Sequence, residues 1–356
     1  MTSPTLPGRL GSPAMTLRTD PRADPRMVAA MEPYGLADLP AEMPVDASSP
    51  LEQLLDYVAA AEEGFELLFN TLVGGRPPVD GVTRRTEIIR GSDGNDVTLS
   101  SHAPAHGGGP RPGVLHVHGG GMVLLEAAGG AYVRWRDELA AAGLVVVGVE
   151  FRNAGGKHGP FPFPAGLNDC ASALQWAVDH RSELGIDKLV VSGESGGGNL
   201  TLATVLKAKR DRRLDAIAGV YAMCPYISGQ YASPPPELTS LYENDGYFLE
   251  CRQQMGALAK VYDPSGEHGD NPLAWPYHAS VDDLRELPPH VISVNQLDPL
   301  RDEGLAYAMR LAAAGVSVVS RTVNGTCHAG DLIFAEAMPD VYAATVRDIV
   351  GFASSL

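Results

Sequence analysis

The residues best suited to chemistry lie in positions 190–200, where an apolar, strand-like run meets the pattern Gly-x-Ser-x-Gly centred on Ser195. Between a strand and a helix, that pattern is typical of a nucleophile elbow, in which a serine hydroxyl projects from a sharp turn. Gly193 and Gly197 would let the strand and the helix pass without side-chain clashes. Ser195 is therefore the candidate nucleophile, although an ordinary glycine-rich turn gives the same pentapeptide and other residues must decide.

A second glycine run, Gly119-Gly120-Gly121, follows His118 at the end of another apolar segment. Acyl transfer passes through a tetrahedral oxyanion, and each amide already aimed at it is worth about 3–4 kcal/mol. We predict that the amides of Gly119, Gly120 and Gly196 bind this oxyanion and that His118 supports their loop. The alternatives are a tight turn or a phosphate cradle, but neither phosphate-binding glycine motif opens a helix in this sequence.

A serine nucleophile needs a base and an acid that orients the base, and later segments supply candidates for both. The apolar run 291–297 ends at Asp298, where α/β folds place functional residues. We assign Asp298 as the acid that orients the base. Asp298 could instead cap the next helix, and Asp302 is the second candidate for the acid. His328 follows the last strand-like run and is the predicted base. The order serine, acid, histidine, each after a strand, is that of α/β-hydrolases.

Together these motifs resemble the hormone-sensitive-lipase-like family of α/β-hydrolase esterases, also called bacterial family IV. The resemblance rests on the glycine run after His118, the motif around Ser195, the segment Asp298-Pro-Leu-Arg-Asp-Glu-Gly, and His328, and it extends from about residue 80 onward. It implies an α/β-hydrolase fold with a cap over the pocket and a serine esterase activity.

Two departures from the family pattern stand out. Gly196 replaces the usual alanine, which retains the amide but loosens the backbone that aims it. The family's Tyr-Arg-x-Ala-Pro-Glu is here Phe-Arg-Asn-Ala-Gly-Gly at 151–156, so the support of the loop must differ. With the proline-rich segment 160–165, the second departure suggests the branch that includes brefeldin A esterase.

Composition is that of a soluble enzyme of 356 residues, with 44% hydrophobic residues and a net charge of -16. So acidic a chain lacks the clustered Lys and Arg that nucleic acids and anionic membranes require. The first residues contain no apolar run of the kind found in signal peptides, and no apolar segment is long enough to span a membrane, so we expect a cytoplasmic protein.

Four cysteines without metal spacing are predicted to be free thiols. A thiol mechanism at Cys327 and a metal site at His116 and His118 are both disfavoured, and neither cofactor nor metal is expected.

Periodicity predicts an α/β fold. A hairpin at 86–102 precedes strands at 113–117, 144–150, 189–192, 216–223, 290–295 and 316–323, with amphipathic helices such as 168–181 and 303–314 between them. This alternation indicates a doubly wound, mainly parallel sheet. We divide the chain into an N-terminal tail and cap segment (1–80), a catalytic domain (81–225 and 276–356) and a cap insertion (226–275). Helices are expected at 50–72 and 243–261, and residues 1 to about 25 are expected to be disordered.

The resulting hypothesis is a serine carboxylic-ester hydrolase that forms an acyl-enzyme with short-chain or compact small-molecule esters. The family resemblance extends the substrates to lactones. An amide or carbamate hydrolase would use the same triad, and a non-catalytic ligand-binding member of the fold is a further alternative. The sequence leaves open whether the chain forms a homodimer. Six aromatic residues are candidates either for lining the pocket or for filling the core of the cap: Phe65, Phe69, Tyr242, Tyr247, Phe248 and Trp275.

Overall fold

An eight-stranded sheet forms the centre of the computed structural model, which describes residues 6–356. The strands are β1 (Val82–Arg90), β2 (Asp96–Pro104), β3 (Arg111–Val117), β4 (Val145–Glu150), β5 (Ile186–Glu194), β6 (Gly219–Met223), β7 (His290–Asn295) and β8 (Val318–Val323). They lie in the order β1-β2-β4-β3-β5-β6-β7-β8. The pairs β1/β2 and β2/β4 are antiparallel, and all other neighbours are parallel. The predicted mainly parallel sheet is confirmed.

Helices connect the strands and cover both faces of the sheet. They are α1 (Gly8–Gly11), α2 (Pro25–Met31), α3 (Leu51–Gly74), α4 (Gly130–Ala141), α5 (Ala165–Asp179), α6 (Arg181–Leu184), α7 (Gly196–Arg210), α8 (Ser240–Glu243), α9 (Gly256–Tyr262), α10 (Val281–Leu284), α11 (Arg301–Ala313), α12 (Gly330–Ile333) and α13 (Pro339–Ser355). Within residues 6–356, none of these helices combines the length and the apolar character needed to cross a bilayer.

Alternating side chains of β4 show how the two faces are filled. Val145 and Val147 belong to a core shared with Leu167 and Leu174 of α5, whereas Val146 belongs to a second core with Trp135 of α4. Because successive strand residues point to opposite faces, an uninterrupted apolar strand requires such a layer on each side. The predicted doubly wound arrangement is confirmed.

Register brings the functional segments to one edge of the sheet. Val117 at the end of β3 pairs with Gly193 near the end of β5, and Asn295 at the end of β7 pairs with Val323 at the end of β8. The segments that contain His118, Ser195, Asp298 and His328 therefore leave the sheet at its carboxyl edge, where open α/β sheets place their sites.

The predicted helix 243–261 is wrong between residues 244 and 250. Helix α8 ends at Glu243, a turn with Gly246 at φ +81° follows, and helical structure resumes as a π-helical turn at Cys251–Met255 that continues into α9. The carboxylate of Glu250 accepts hydrogen bonds from three successive amides at 252–254, which caps the new start. Asn-Asp-Gly is a turn signal that outweighs the apolar spacing around it.

The division of the chain into an N-terminal tail and cap segment (1–80), a catalytic domain (81–225 with 276–356) and a cap insertion (226–275) stays a prediction.

The expected disorder of residues 1 to about 25 is wrong for the part that the structure describes, and residues 1–5 lie outside it. Leu17 is buried, and Arg22 pairs with Asp20 (2.7 Å) and with Glu243 of α8. The amide of Asp24 donates to the Gly325 carbonyl at 2.9 Å, next to the segment that contains His328. Arg9 also pairs with Asp245 (3.6 Å) and Arg18 with Asp38 (2.9 Å), so the guanidinium groups of the described part of this segment have carboxylate partners in the fold.

Candidate active site

Ser195 occupies a strained turn between β5 and α7, with φ +57° and ψ -121°. A Cβ atom at Gly193 would lie 2.4 Å from the Val117 carbonyl oxygen, and one at Gly197 would lie 2.1 Å from that same oxygen. Only glycine fits at either position, because real Cβ atoms do not approach backbone so closely. The turn is fixed further by the Ser195 amide, which donates to the Met223 carbonyl at 3.0 Å. This geometry is that of the predicted nucleophile elbow.

Asp298 and His328 meet in a buried pair. Nδ1 of His328 lies 2.8 Å from Oδ2 of Asp298, whose side chain is fully buried. The second carboxylate oxygen of Asp298 accepts the amide of Leu300 at 2.9 Å, so this residue also holds its own turn. The pairing of Nδ1 with a carboxylate fixes its proton and leaves Nε2 as the acceptor that a general base requires.

Asp302, the reserve acid, points elsewhere. Its Oδ2 accepts the Ser240 amide at 2.7 Å, and its Oδ1 pairs with Arg301 at 2.8 Å. The Ser240 contact joins α11 to α8, which belongs to the segment predicted as cap, whereas the Arg301 contact lies within α11. The geometry therefore favours Asp298 over Asp302 as the partner of His328.

Ser195 and His328 line the same pocket. Within residues 6–356, no hydrogen bond joins the Ser195 hydroxyl to the His328 ring. The contact between nucleophile and base is often looser before a substrate is bound, so this does not separate the two residues chemically. Sequence order and structure agree in bringing Ser195, Asp298 and His328 to one place.

Asn295 supports the histidine from behind, a role that the sequence reasoning missed. Its Nδ2 donates to the Thr326 hydroxyl (2.8 Å) and to Asp331 (2.9 Å), and its Oδ1 accepts the amide of Ala329 at 3.2 Å. Asp331 in turn accepts the Thr345 hydroxyl at 2.7 Å. This buried network brackets His328 on both sides along the chain. A polar residue that ends a largely apolar strand, three positions before the predicted acid, is the signal that could have identified it.

Gly119 departs from its predicted role as an oxyanion donor. Its amide donates to Oε1 of Glu194 at 2.6 Å, while Oε2 of the same buried carboxylate lies 3.2 Å from Nε2 of His116. An amide committed to a carboxylate is not free for a transition state. Glu194, which the sequence reasoning also missed, thus holds the loop after β3 against the elbow.

The amides of Gly120, Gly121 and Gly196 remain available. In the part of the chain that the structure describes, the Gly120 and Gly121 amides have no acceptor, and Gly196 is the first residue of α7, so its amide has no helical partner. A Cβ at Gly196 would lie 2.5 Å from the Gly121 nitrogen, which places the loop directly against the elbow. The oxyanion role of Gly120 and Gly196 stays a prediction, and their free amides are compatible with it; the occupied amide of Gly119 makes Gly121 the candidate in its place.

His118 supports this loop, as its predicted role requires. The ring is fully buried, its Nδ1 lies 2.8 Å from the Gly119 carbonyl oxygen, and it stacks on Phe151 at 4.3 Å between centroids. His116 instead contacts Glu194, and burial lowers its pKa. The two histidines therefore serve different neighbours.

Glu62 of α3 supplies support where the sequence departs from the family pattern. Its carboxylate accepts the amides of Leu125 (2.7 Å) and Lys157 (2.8 Å). A Cβ at Gly156 would lie 2.6 Å from this carboxylate, so glycine makes room for it. An acidic side chain from the N-terminal helix thus joins the segment 119–125, hereafter the oxyanion loop, to the segment after β4.

The pocket is mainly apolar, and three of the six candidate aromatics line it. Phe65 and Phe69 of α3 and Phe248 face it. Trp275 instead packs edge-on to Tyr226 and Tyr262, and the Tyr247 hydroxyl donates to Asp20 at 3.0 Å. Further lining comes from Leu124, Leu125, Tyr132, Trp135, Tyr226, Met255, Leu258, Leu332, Ile333 and Tyr342.

All four cysteines are free and buried. Burial raises the pKa of the Cys327 thiol, which keeps it protonated and therefore a poor nucleophile. Cys224 lies close to the acid–base pair, with its Sγ within 4.8 Å of ligand-type atoms of Asp298 and His328. Burial raises the pKa of this thiol as well. Neither thiol has the environment of a reactive cysteine.

Comparisons with known proteins agree with this geometry. Residues 114–331 match a family model described as alpha/beta hydrolase fold. The chain belongs to the α/β-hydrolase family. It is 34% identical over 223 residues to an arylesterase of Saccharolobus solfataricus, covering 61% of this chain and 67% of that protein. It is also 34% identical to esterase LipI of Mycobacterium tuberculosis, covering 67% and 71%.

A solved structure extends the similarity to nearly the whole α/β-hydrolase chain. Brefeldin A esterase, a bacterial homologue of human hormone sensitive lipase, is 50% identical with a TM-score of 0.96, and 99% of each chain is covered. The predicted membership in the hormone-sensitive-lipase-like family, near brefeldin A esterase, is confirmed.

Proposed function

We propose that this α/β-hydrolase is a serine carboxylic-ester hydrolase in which Ser195 is the nucleophile, His328 the general base and Asp298 the acid that orients the base. The observation that supports this most is the buried contact of 2.8 Å between Asp298 and His328, beside the strained Ser195 turn in one pocket. The names of its relatives, esterases and an arylesterase, favour an ester as substrate.

In the first half of the reaction, Nε2 of His328 takes the hydroxyl proton of Ser195 as Oγ attacks the ester carbonyl. The charge that develops on the imidazolium is balanced by the Asp298 carboxylate, which burial shields from water. His328 then gives its proton to the leaving alcohol. A water molecule repeats the sequence on the acyl-enzyme and releases the acid.

The tetrahedral oxyanion is stabilised by the amides of Gly120, Gly121 and Gly196. Glu194 accepts from the Gly119 amide and His118 donates to the Gly119 carbonyl, so the peptide groups on both sides of Gly119 are held, including the one that carries the Gly120 amide. Such fixation matters because donors aimed in advance need no reorganisation when the charge appears. Loss of one donor of this kind costs about 100- to 1000-fold in kcat.

The pocket favours compact, apolar esters. Most of its wall consists of aromatic and aliphatic side chains from α3, the oxyanion loop and the segment 248–258. Arg76 and Arg134 also line it, but both pair with Glu138 at 2.9 Å. A charged acyl or alcohol group would therefore lose hydration with little compensation. Similarity to brefeldin A esterase extends the proposed substrates to lactones. We further propose a cytoplasmic location. Amide and carbamate hydrolysis by the same triad is a weaker alternative.

An acyl-length series of p-nitrophenyl esters, with a macrolactone and an anilide alongside, tests this function. We expect the highest kcat/KM for short or compact acyl groups, measurable lactone opening, and anilide hydrolysis slower by orders of magnitude. Rapid anilide hydrolysis with negligible ester turnover would replace the esterase by an amidase.

A further inference from the structure

The peptide group between Ser195 and Gly196 carries one of the three proposed oxyanion donors, the amide of Gly196. The carbonyl oxygen of this peptide group belongs to Ser195. It accepts the amide of Asn199 at 3.0 Å, within the first turn of α7, and also the amide of Tyr226 at 3.1 Å. Because a peptide group is planar, the partners of its carbonyl oxygen also decide where its N–H points.

Tyr226 reaches Ser195 from another part of the sheet. It lies in segment 224–228, hereafter the β6 loop, which follows the last residue of β6. The β6 loop and the start of α7 are in close contact, since a Cβ atom at Gly198 would lie 3.0 Å from the Cα atom of Pro225. The direction of the Gly196 amide therefore depends on how firmly the β6 loop is held.

Two buried side chains hold the next peptide group of the β6 loop, the one between Tyr226 and Ile227. Nδ2 of Asn199 donates to the Tyr226 carbonyl at 2.9 Å, and the Ile227 amide donates to Oε1 of Glu303 at 2.7 Å. Asn199 lies in α7 and Glu303 in α11, and both are buried. This peptide group is thus bound at its carbonyl and at its N–H by two different helices, away from competing water.

The burial of Glu303 indicates a specific need for its oxygen atoms. Burial raises the pKa of Glu303 to about 8, so that the carboxyl group is uncharged at neutral pH. Among the described residues, its hydrogen bonds go to the Ile227 amide and to the Tyr231 hydroxyl (2.9 Å), and not to the amides of its own helix. An apolar side chain would fill the same space without the cost of burying a carboxyl group. The role that remains is to accept these two hydrogen bonds.

We propose that Glu303 and Asn199 are positioning residues for the oxyanion-binding amide of Gly196. They fix the peptide group between Tyr226 and Ile227, and the Tyr226 amide passes that position on to the Ser195 carbonyl. Neither side chain touches the substrate in this role. The inference rests on the proposed serine esterase function, because it concerns a donor that acts only on the oxyanion.

The test compares Glu303→Met, which removes the acceptor at similar side-chain length, with Glu303→Gln, which keeps an uncharged acceptor. Kinetics are measured on p-nitrophenyl acetate. We expect Glu303→Met to lower kcat by about 10- to 100-fold, less than or equal to the loss of a whole donor, with KM changed by less than about threefold. Glu303→Gln should restore kcat to within about threefold of the unchanged chain. A role limited to packing around the pocket would change KM or Tm instead.

A trifluoromethyl ketone gives a readout of the oxyanion site itself. Oγ of Ser195 adds to its carbonyl carbon, the hydroxyl proton passes to His328, and the carbonyl oxygen becomes the oxyanion. The matching trifluoromethyl alcohol binds the same pocket but cannot form this adduct. We expect Glu303→Met to weaken inhibition by the ketone by the same factor as kcat, and to leave inhibition by the alcohol unchanged.

Two further variants complete the comparison. Asn199→Ala releases the same peptide group from the side of α7 and should act like Glu303→Met, so that the inference can be refuted even if Glu303→Met does not fold. Tyr231→Phe is the matched control. It removes the other hydrogen bond of Glu303 and leaves the Ile227 amide bound, so it should lower Tm and retain kcat.

Full kcat in a folded Glu303→Met or Asn199→Ala variant would overturn this inference alone, provided that the unchanged chain hydrolyses the ester. The same conclusion follows if Tyr231→Phe loses as much kcat as Glu303→Met, or if the ketone and the alcohol weaken equally. An unchanged chain that neither hydrolyses p-nitrophenyl acetate nor forms the ketone adduct at Ser195 would overturn the proposed function, and this inference with it.

Discussion

Replacing Asp298 by Asn tests the acid with the least change in shape. Oδ2 of Asp298 contacts Nδ1 of His328 at 2.8 Å in a fully buried position. An amide NH₂ there would donate to Nδ1 and move the ring proton to Nε2, where it blocks the uptake of the Ser195 proton. The charge is lost as well, and at about 4 Å and an effective dielectric of 20 it is worth about 4 kcal/mol, or roughly 1000-fold in rate. With the wrong tautomer added, we expect kcat to fall by about 10⁴.

The same substitution at Asp302 is the matched control. Its carboxylate binds the Ser240 amide and Arg301, and an Asn oxygen can still accept that amide. We expect Asp302→Asn to lower Tm modestly and to change kcat by less than about tenfold. Initial rates on p-nitrophenyl acetate and thermal melts of both variants decide the matter. Retention of more than about a tenth of kcat by Asp298→Asn, or a larger loss in Asp302→Asn, would refute the reasoning.

Three further predictions rest on other contacts. Gly196→Ala should lower kcat by about 10- to 100-fold and should also lower Tm, because the new Cβ would lie 2.5 Å from the Gly121 nitrogen and displace the oxyanion loop; unchanged kinetics would contradict that contact. Burial raises the pKa of Glu303 from 4.5 to about 8, so the folded state holds a proton that the unfolded chain releases, and stability should decline by a few kcal/mol as pH rises from about 4.5 to about 8. Glu303→Gln should flatten this decline in urea melts, whereas the exposed control Glu63→Gln should leave it in place; equal curves for the two variants would remove Glu303 as its cause. Burial also raises the pKa of the cysteine thiols, so iodoacetamide at pH 7.5 should leave activity intact, and parallel loss of thiol and activity would contradict this.

The strands and the order of the site residues could be predicted because their signals are local. Apolar runs such as 145–149 need both faces covered, and the glycines around Ser195 are required by contacts within the turn itself. The acid and the histidine each follow a strand directly, so the parallel sheet alone brings them together.

The remaining features depend on contacts between distant segments. Gly119 and Gly121 are equivalent in sequence, and only the carboxylate of Glu194 decides which amide is occupied. The order of the N-terminal segment likewise depends on the pairing of Arg22 with Glu243, more than two hundred residues away. The composition of the N-terminal segment alone predicts disorder, because the residues that pair with it lie elsewhere in the sequence.

Covalent labelling of Ser195 tests the central claim most directly. An organophosphate or a sulfonyl fluoride should add once per chain, peptide mapping should place the adduct on Ser195, and the rate of labelling should match the loss of activity. Ser195→Ala should take up no label, keep its Tm, and lose about 10⁶ in kcat. An adduct on another residue that abolishes activity, or a Ser195→Ala variant with more than about a tenth of the original rate, would contradict the account.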